Sequence, residues 1–358
     1  MGRQPVYKTI QKDILEKIAS GEFTAGAKLP TESDLMRQYA VSRITVQHAL
    51  NELKTQGILV RRPRSGTFVR QPAEAPKEPA RPLYPARGRL SLGVVASFDM
   101  TDALAYRYLN GIMSALEPSR DTLRLNNTGN EAVHERMMLE NCIADGCDGI
   151  LYYPGRDPAP PFDLLTQIAE QGYPCVLIDK QIYGVPLPCV QTDNVSAGRD
   201  ITQELISHGH RNIAFLLGGF ESSVRERYIG FCQAMYREGL GSLKRLCYNI
   251  QDYFRAGKAM TDLIGDLLEA GFTAVCCSAD LHAGWVLDAC REMGVEVPGQ
   301  LAVGSFDGSL PGHVTSMLQP YEQIGRVATE TLLRWILTGQ VDRKTVSLPA
   351  TLLRGRTL

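Results

Sequence analysis

Two groups of residues in this chain have types and spacings that could do chemistry. The first is Thr31, Ser33, Ser42, Arg43, Thr45, Gln47 and His48, packed into residues 31–48. Hydroxyls, a guanidinium, an amide and an imidazole form a dense array of hydrogen-bond donors. Arg pairs bidentately with guanine and Gln with adenine in the major groove, so this array can read base edges. The second group follows short apolar runs further along: Ser97, Phe98 and Asp99, then Tyr153, then Asp179 and Lys180, then Asp193, Asp280 and Asp307. Carboxylates accept hydrogen bonds from hydroxyls, a cation donates them, and rings cover the apolar face of a sugar or base. One such Asp is an ordinary cap or turn residue; their recurrence at successive strand ends points to a ligand.

The elements around the first group suit DNA. Ser42 can cap a helix from whose first turn Arg43 projects. Val46, Ala49, Leu50 and Leu53 recur at helical spacing and form its core side, which leaves Arg43, Gln47, His48 and Asn51 on the other. An earlier helix over 7–20 carries Ile10, Ile14, Leu15 and Ile18 on one stripe and ends at Gly21. After Gly57, Ile58-Leu59-Val60 and Thr67-Phe68-Val69 read as two strands joined by a basic turn. Arg62, Arg64, Ser65 and Gly66 in that turn can approach a phosphate backbone. Residues 1–70 hold twelve Lys and Arg against six Asp and Glu, a charge of +6 in a chain whose total is −1. Local positive charge of this kind is what phosphate contacts require. The expected head is a winged helix-turn-helix of α+β class that binds double-stranded DNA.

Residues 71–88 read as a spacer, with Pro72, Pro76, Pro79, Pro82 and Pro85 favouring extended conformations. From Arg89 the texture changes. Apolar runs at 90–96, 149–154, 175–179, 213–217, 274–277 and 301–306 alternate with helical stretches such as 133–144, 163–171, 195–208, 224–239 and 257–270. That alternation predicts α/β architecture with parallel sheets covered on both faces. The length suits two lobes better than one sheet. In such sheets ligands sit beyond the carboxyl ends of the strands.

Residues 5–70 resemble the winged helix-turn-helix of GntR-family bacterial transcription factors. The likeness is carried by Gly26-x-Lys28-Leu29-Pro30-Thr31-Glu32, Val41-Ser42-Arg43-x-Thr45-Val46 and Gly66-Thr67-Phe68-Val69. The family usually has Arg where Gln47 stands, and many members have Arg at the place of Ser33. The sequence therefore points to an operator unlike the usual half-site. From residue 89 onward the chain resembles the effector domain of the LacI/GalR family, itself similar to periplasmic sugar-binding proteins. Here the matches are Asp193-Asn194-x-x-x-Gly198, His208-Gly209-His210-Arg211, Arg227-x-x-Gly230-Phe231, Ser278-Ala279-Asp280, Ser305-Phe306-Asp307 and Gln319-Pro320.

The resemblance implies a two-lobed periplasmic-binding-protein-like domain over 89–358, with lobes of about 89–188 plus 320–345 and 189–318 plus 346–358. It places Arg227 and Asp280 at the effector and adds Asp179 as a further contact. Sugar-binding relatives often carry a Phe pair where Leu104-Ala105 stands, which leaves Phe98, Tyr106 or Trp285 to supply the stacking ring. The implied protein is a homodimeric repressor, of arabinose-repressor type, that leaves a palindromic operator when a sugar-like effector binds. A nucleobase or another polyol as effector, and corepression instead of induction, stay open.

Other classes fit less well. Some GntR-type heads are fused to pyridoxal-phosphate aminotransferase-like domains, which need a Schiff-base lysine. Lys180 is the one lysine at a strand end, and its Leu177-Ile178-Asp179-Lys180 setting matches the sensor family instead. Leu217-Gly218-Gly219-Phe220 is not a dinucleotide fingerprint, and Ser222-Ser223 has no nucleophile elbow. No catalytic residue, cofactor or metal site is expected, and the resemblance makes His208 and His210 structural. The nine cysteines all follow residue 141 and read as buried thiols. With no apolar leader after Met1-Gly2-Arg3-Gln4 and no membrane-length run, the expectation is a cytoplasmic protein without a membrane partner.

Overall fold

Apolar residues spaced for helices and strands gather into two compact units, Met1–Arg87 and Gly88–Leu358, in the computed structural model. It describes residues 6–20, 22–24, 26–39, 41–42, 45–46, 49–50, 53, 59–62, 66–69, 88–97, 103–129, 131–155, 160–240 and 246–358. The spacer at 71–87 lies outside them.

In the first unit, helices α1 (Val6–Ala19) and α2 (Glu32–Tyr39) and the antiparallel pair β1 (Leu59–Arg62) and β2 (Gly66–Val69) share one core. Ile10, Ile14, Leu29, Leu35, Val46, Ala49, Leu53 and Leu59 fill it. Leu15, expected on the buried stripe, is 39% exposed. It sits one residue round from Ile14, about 100° off the face that Ile10, Ile14 and Ile18 define. Thr31 and Asp34 cap α2 reciprocally: Asp34 N donates to Thr31 Oγ1 at 3.2 Å and Thr31 N to Asp34 Oδ2 at 3.1 Å. The Gly26–Leu29 segment runs along the wing, with Leu29 N donating to Thr67 O and Val69 N to Ala27 O, each at 2.9 Å. That pairing accounts for the motif leading into α2, whose Gly26 adopts φ 83°.

The second unit holds two six-stranded sheets. The first has the order β13-β7-β6-β5-β3-β4, using β3 (Ser91–Ala96), β4 (Thr122–Asn127), β5 (Gly149–Tyr153), β6 (Cys175–Ile178), β7 (Cys189–Thr192) and β13 (Thr345–Leu348). All of its pairings are parallel. The second has the order β14-β12-β11-β10-β8-β9, using β8 (Ile213–Leu217), β9 (Cys247–Asn249), β10 (Ala274–Cys277), β11 (Ala302–Asp307), β12 (Thr315–Leu318) and β14 (Thr351–Leu353). Only β14 runs antiparallel to its neighbour there. Strands β6, β7, β8 and β10 are buried at every residue, as sheets covered on both faces require.

The chain passes between the sheets three times, near Asp193, Gln319-Pro320 and Pro349-Ala350. Cys189–Thr192 and Val346–Leu348 were expected in the second lobe, yet they pair in the first sheet. The apolar strand β7 completes that sheet before the chain leaves it. The crossing waits for Asp193, whose side chain accepts from Ser196 N and so starts the next helix.

Helix packing brings the site residues forward. α3 (Ala103–Ser114) crosses α11 (Tyr321–Thr338) so closely that a Cβ on Gly325 would lie 2.3 Å from Tyr108 O. Likewise α6 (Asn194–Ser207) meets α7 (Ser222–Arg237), and a Cβ on Gly198 would lie 2.1 Å from Arg227 O. The Gly198 and Gly230 of the sequence motifs are thus the contact points that set Arg227 in place. None of the nine cysteines is joined in a disulfide. Among the described residues no helix is long and apolar enough to cross a membrane.

Candidate functional site

Between the sheets lies a cleft of about 150 Å³, lined from both lobes at the strand ends and helix starts. The first lobe contributes Ser97 after β3, Leu104, Ala105 and Tyr108 on α3, Tyr153 at the end of β5, and Asp179 and Lys180 after β6. The second contributes Gly218, Gly219 and Glu221 after β8, Arg227 on α7, Ser278 after β10, and Asp307 ending β11. His282 lines it from α10 (Asp280–Met293), while Gln319 and Tyr321 join from a crossing.

Arg227 is 4% exposed and holds the second-lobe wall together. Its Nε donates to Asn194 Oδ1 at 2.9 Å and its Nη1 to Ser278 O at 2.7 Å. The same Nη1 lies 3.5 Å from Asp307 Oδ1, and the guanidinium stacks over Phe306 at 4.8 Å. Asp307 also accepts from Gln319 Nε2 at 2.7 Å. Burial pushes the Asp307 carboxyl up from its ordinary value, and nearby Asp280 and Asp179 add to this, while Arg227 and Gln319 oppose it. A buried carboxylate in this setting favours any ligand that brings hydrogen-bond donors and no negative charge.

The opposing wall is aromatic. Tyr108 donates its hydroxyl to Asp179 Oδ1 at 2.9 Å and packs edge-on against Tyr321 at 5.0 Å. Burial, and then the Asp179 carboxylate, raise the Tyr108 phenol well above its usual value, so it stays a donor. Lys180 Nζ sits 4.6 Å over the Tyr153 ring and donates to Pro154 O at 2.9 Å. Asp179 and Asp307 both take left-handed backbone, with φ of 68° and 102°. They are the non-glycine residues described as doing so, and both face the cleft. Such strain at a non-glycine residue concentrates where a ligand site holds it in place.

A second set of bonds joins the lobes beside the cleft. Gln191 Nε2 on β7 donates to Glu226 Oε2 on α7 at 2.8 Å, and Tyr183 OH donates to Glu226 Oε1 at 3.3 Å. Gln181 N adds a bond to Ser222 Oγ at 2.8 Å.

Residues 6–69 match the sequence profile of bacterial regulatory proteins of the gntR family, and residues 202–358 match that of the periplasmic binding protein-like domain. The chain is a transcription regulator that joins a GntR-type head to a LacI-type sensor. Over 349 residues it is 26% identical to the arabinose metabolism transcriptional repressor of Geobacillus stearothermophilus, covering 95% of this chain and 93% of that protein. In fold, the sensor is similar to the transcription regulator CcpA of Lactococcus lactis, with a TM-score of 0.65 at 22% identity over 75% of this chain and 99% of that one. It is also similar to a LacI family regulator from Enterococcus faecium, solved with bound ribose, with a TM-score of 0.61 at 19% identity over 75% and 98%. The similar proteins are transcription regulators and not enzymes.

Of the residues expected at the effector, Ser97, Tyr153, Asp179, Lys180, Arg227 and Asp307 line the cleft. Phe98 and Asp99 lie outside the described residues. Three others stand elsewhere. Tyr106 is 63% exposed, because helical periodicity puts Tyr108, not Tyr106, one turn beyond Leu104 and Ala105. Trp285 packs against His282 and Phe254 within the second lobe. Asp280 is 1% exposed and its carboxylate is committed to the fold. It accepts from Ser309 N at 2.6 Å, Ser309 Oγ at 3.0 Å and Ser316 Oγ at 2.8 Å.

Tyr108, Glu221, His282, Gln319 and Tyr321 also line the cleft, although the sequence does not assign them to the effector. Tyr108 has a legible signal in its one-turn spacing from Leu104, and Gln319 has one in the Gln319-Pro320 match. His208 Nδ1 lies 2.9 Å from Glu204 O at the end of α6, and His210 Nδ1 lies 3.0 Å from Thr273 Oγ1.

In the head, Ser42 caps the recognition segment: its hydroxyl accepts from Thr45 N at 3.4 Å and pairs with Thr45 Oγ1 at 2.9 Å. The Thr31 hydroxyl donates to Asp34 at 2.6 Å, so its role in this structure is to cap α2. Ser33 lies on α2, and Arg62 pairs with Gly66 across the wing. Arg43, Gln47, His48, Arg64 and Ser65 lie outside the described residues.

Proposed function

We propose that this regulator is a repressor that binds a palindromic operator as a homodimer and releases it when a small sugar occupies the cleft. The observation that carries the reading is the two-walled site, with Arg227 and Asp307 on one lobe facing Tyr108 and Asp179 on the other. A ligand touching both walls favours the arrangement in which they are close, and it can shift DNA affinity only through that preference. In a dimer, lobe closure would alter the separation of two recognition helices, which must sit about one DNA turn apart. Hydrogen-bonding carboxylates, a buried guanidinium and flanking rings are the chemistry that binds a pyranose or furanose. Relatives named for arabinose metabolism, and a fold neighbour solved with ribose, support a pentose as the first candidate.

The test has two steps. The full chain is used to select duplexes from a random DNA library, and the selected duplex is titrated with L-arabinose, D-ribose, other sugars and nucleosides while its fluorescence anisotropy is followed. Sedimentation of the complex gives the stoichiometry. A palindrome bound by two chains and released by one sugar series supports the reading. Binding that no sugar weakens, or that one strengthens, would sink the inducer assignment.

A further inference from the structure

Glu221 carries a buried carboxylate oxygen, Oε2, that meets no hydrogen-bond donor. Among the described residues the Thr128 hydroxyl is the other buried side-chain oxygen in that condition, and it does not line the cleft. Glu221 does. Burying an acceptor away from water without a partner is costly, so such an atom at a ligand site marks where a ligand donor belongs.

The surroundings are shaped for this carboxylate. Glu221 holds the N-cap place of α7, but its side chain caps nothing. Oε2 lies over the bare backbone of Gly219, where a Cβ would come within 2.2 Å of it. The neighbouring Gly218 does the same for His282, whose ring would stand 1.8 Å from a Cβ there. The Gly218-Gly219 pair therefore clears space for two polar side chains at the cleft.

The charges are unevenly spent. Lys180 turns its ammonium to Pro154 O, and Arg227 gives Nε and Nη1 to Asn194, Ser278 and Asp307. Three carboxylates, Asp179, Glu221 and Asp307, line the cleft against those two cations. We propose that Glu221 is a specificity-determining residue of the effector site. Its Oε2 accepts a hydrogen bond from a hydroxyl of a neutral polyhydroxylated ligand, and its charge rejects phosphorylated and carboxylated sugars. The inference rests on the sugar-sensing reading of the cleft.

The experiment compares full-length wild type, Glu221→Gln, Glu221→Ala and Gly219→Ala. Each is titrated calorimetrically with L-arabinose, D-ribose, D-ribose 5-phosphate and D-galacturonate, and each is melted without ligand. Glu221→Ala is expected to weaken the best neutral sugar by about tenfold, and Gly219→Ala, which displaces the carboxylate without removing it, to act in the same direction. Glu221→Gln should narrow the preference for neutral sugar over sugar phosphate. Without ligand both Glu221 variants should melt at or above the wild-type temperature, because the buried oxygen that meets no donor is removed or replaced. An unchanged sugar Kd in Glu221→Ala, or a lowered melting point without ligand, overturns the proposal. A wild-type protein that binds none of the four probes overturns the sugar reading and with it the ligand class. The ligand-free melts then still separate a strained site carboxylate, which gains stability on removal, from a structural one, which loses it.

Discussion

Gln319 donates its side-chain amide to Asp307 Oδ1 at 2.7 Å while its carbonyl accepts from the Thr192 hydroxyl, also at 2.7 Å. Thr192 ends a strand of the first sheet, Asp307 ends a strand of the second, and Gln319 lies on a crossing between them. Asp307 in turn meets Arg227 at the cleft. The hinge and the ligand site therefore share one hydrogen-bonded chain, so a ligand that reorders the Asp307 carboxylate acts on the hinge directly.

Gln319→Ala should expose that coupling. The substitution leaves the Thr192 hydroxyl and one Asp307 bond unmet, a cost on the order of 1–3 kcal/mol in stability. Effector binding, measured by calorimetry, should weaken by only a few fold, whereas the sugar concentration that releases DNA should rise by about tenfold or more. If binding and release shift together, Gln319 is a ligand contact and not a coupling residue.

Asp280 gives a contrasting expectation. Its carboxylate fixes the loop after β11 through Ser309 and Ser316, and it does not line the cleft. Asp280→Ala should therefore destabilise the sensor by about 2–4 kcal/mol, because three bonds to its carboxylate are lost and their donors are left buried. Near-native sugar affinity is expected at temperatures where the variant is folded. Chemical denaturation and calorimetry at low temperature separate the two effects. A stable variant that no longer binds sugar would return Asp280 to the site.

Glu226 makes the lobe contact pH-dependent. Burial raises its carboxyl above the ordinary 4.5, with bonds from Gln191, Asn194 and Tyr183 opposing and Asp193 reinforcing. A carboxyl raised in the folded state contributes stability that is full below 4.5 and lost as pH rises through its raised value. Glu226→Gln is neutral throughout and escapes that loss. Its melting temperature relative to wild type should therefore climb between about pH 4.5 and neutrality, by roughly 1–3 °C. Parallel pH curves for the two proteins would contradict this.

The architecture was readable from the chain because its signals are local. Runs such as Ile213–Leu217 and Ala274–Cys277 are apolar throughout and appear as strands with those bounds. Thr122–Asn127 was not recognised because it is an edge strand, only partly buried, and its polar residues carry no run. The site was half legible. Asp179 and Asp307 follow apolar strands, which marks them. Asp280 follows one as well, yet its carboxylate turns inward to Ser316, and no local pattern distinguishes the two outcomes. Gln319 and Glu221 owe their positions to the crossing and to Gly219, which only the assembled lobes reveal.

The head and sensor should fail separately. Arg43 directly follows Ser42 in the sequence and is the residue expected there to read a base, and losing a bidentate base contact costs about 1–3 kcal/mol per half-site. Arg43→Ala should thus weaken operator binding by about a hundredfold or more in a dimer while leaving the sugar-induced rise in melting temperature intact. Arg227→Lys should do the opposite. A lysine keeps the charge but cannot reach Asn194, Ser278 and Asp307 together, because it lacks the planar fork. The variant should hold operator at wild-type affinity and resist release by sugar. Anisotropy with labelled operator and thermal shift with sugar, run on both proteins, give four readings. Loss of both functions in either variant would contradict a regulator built from separable reading and sensing units.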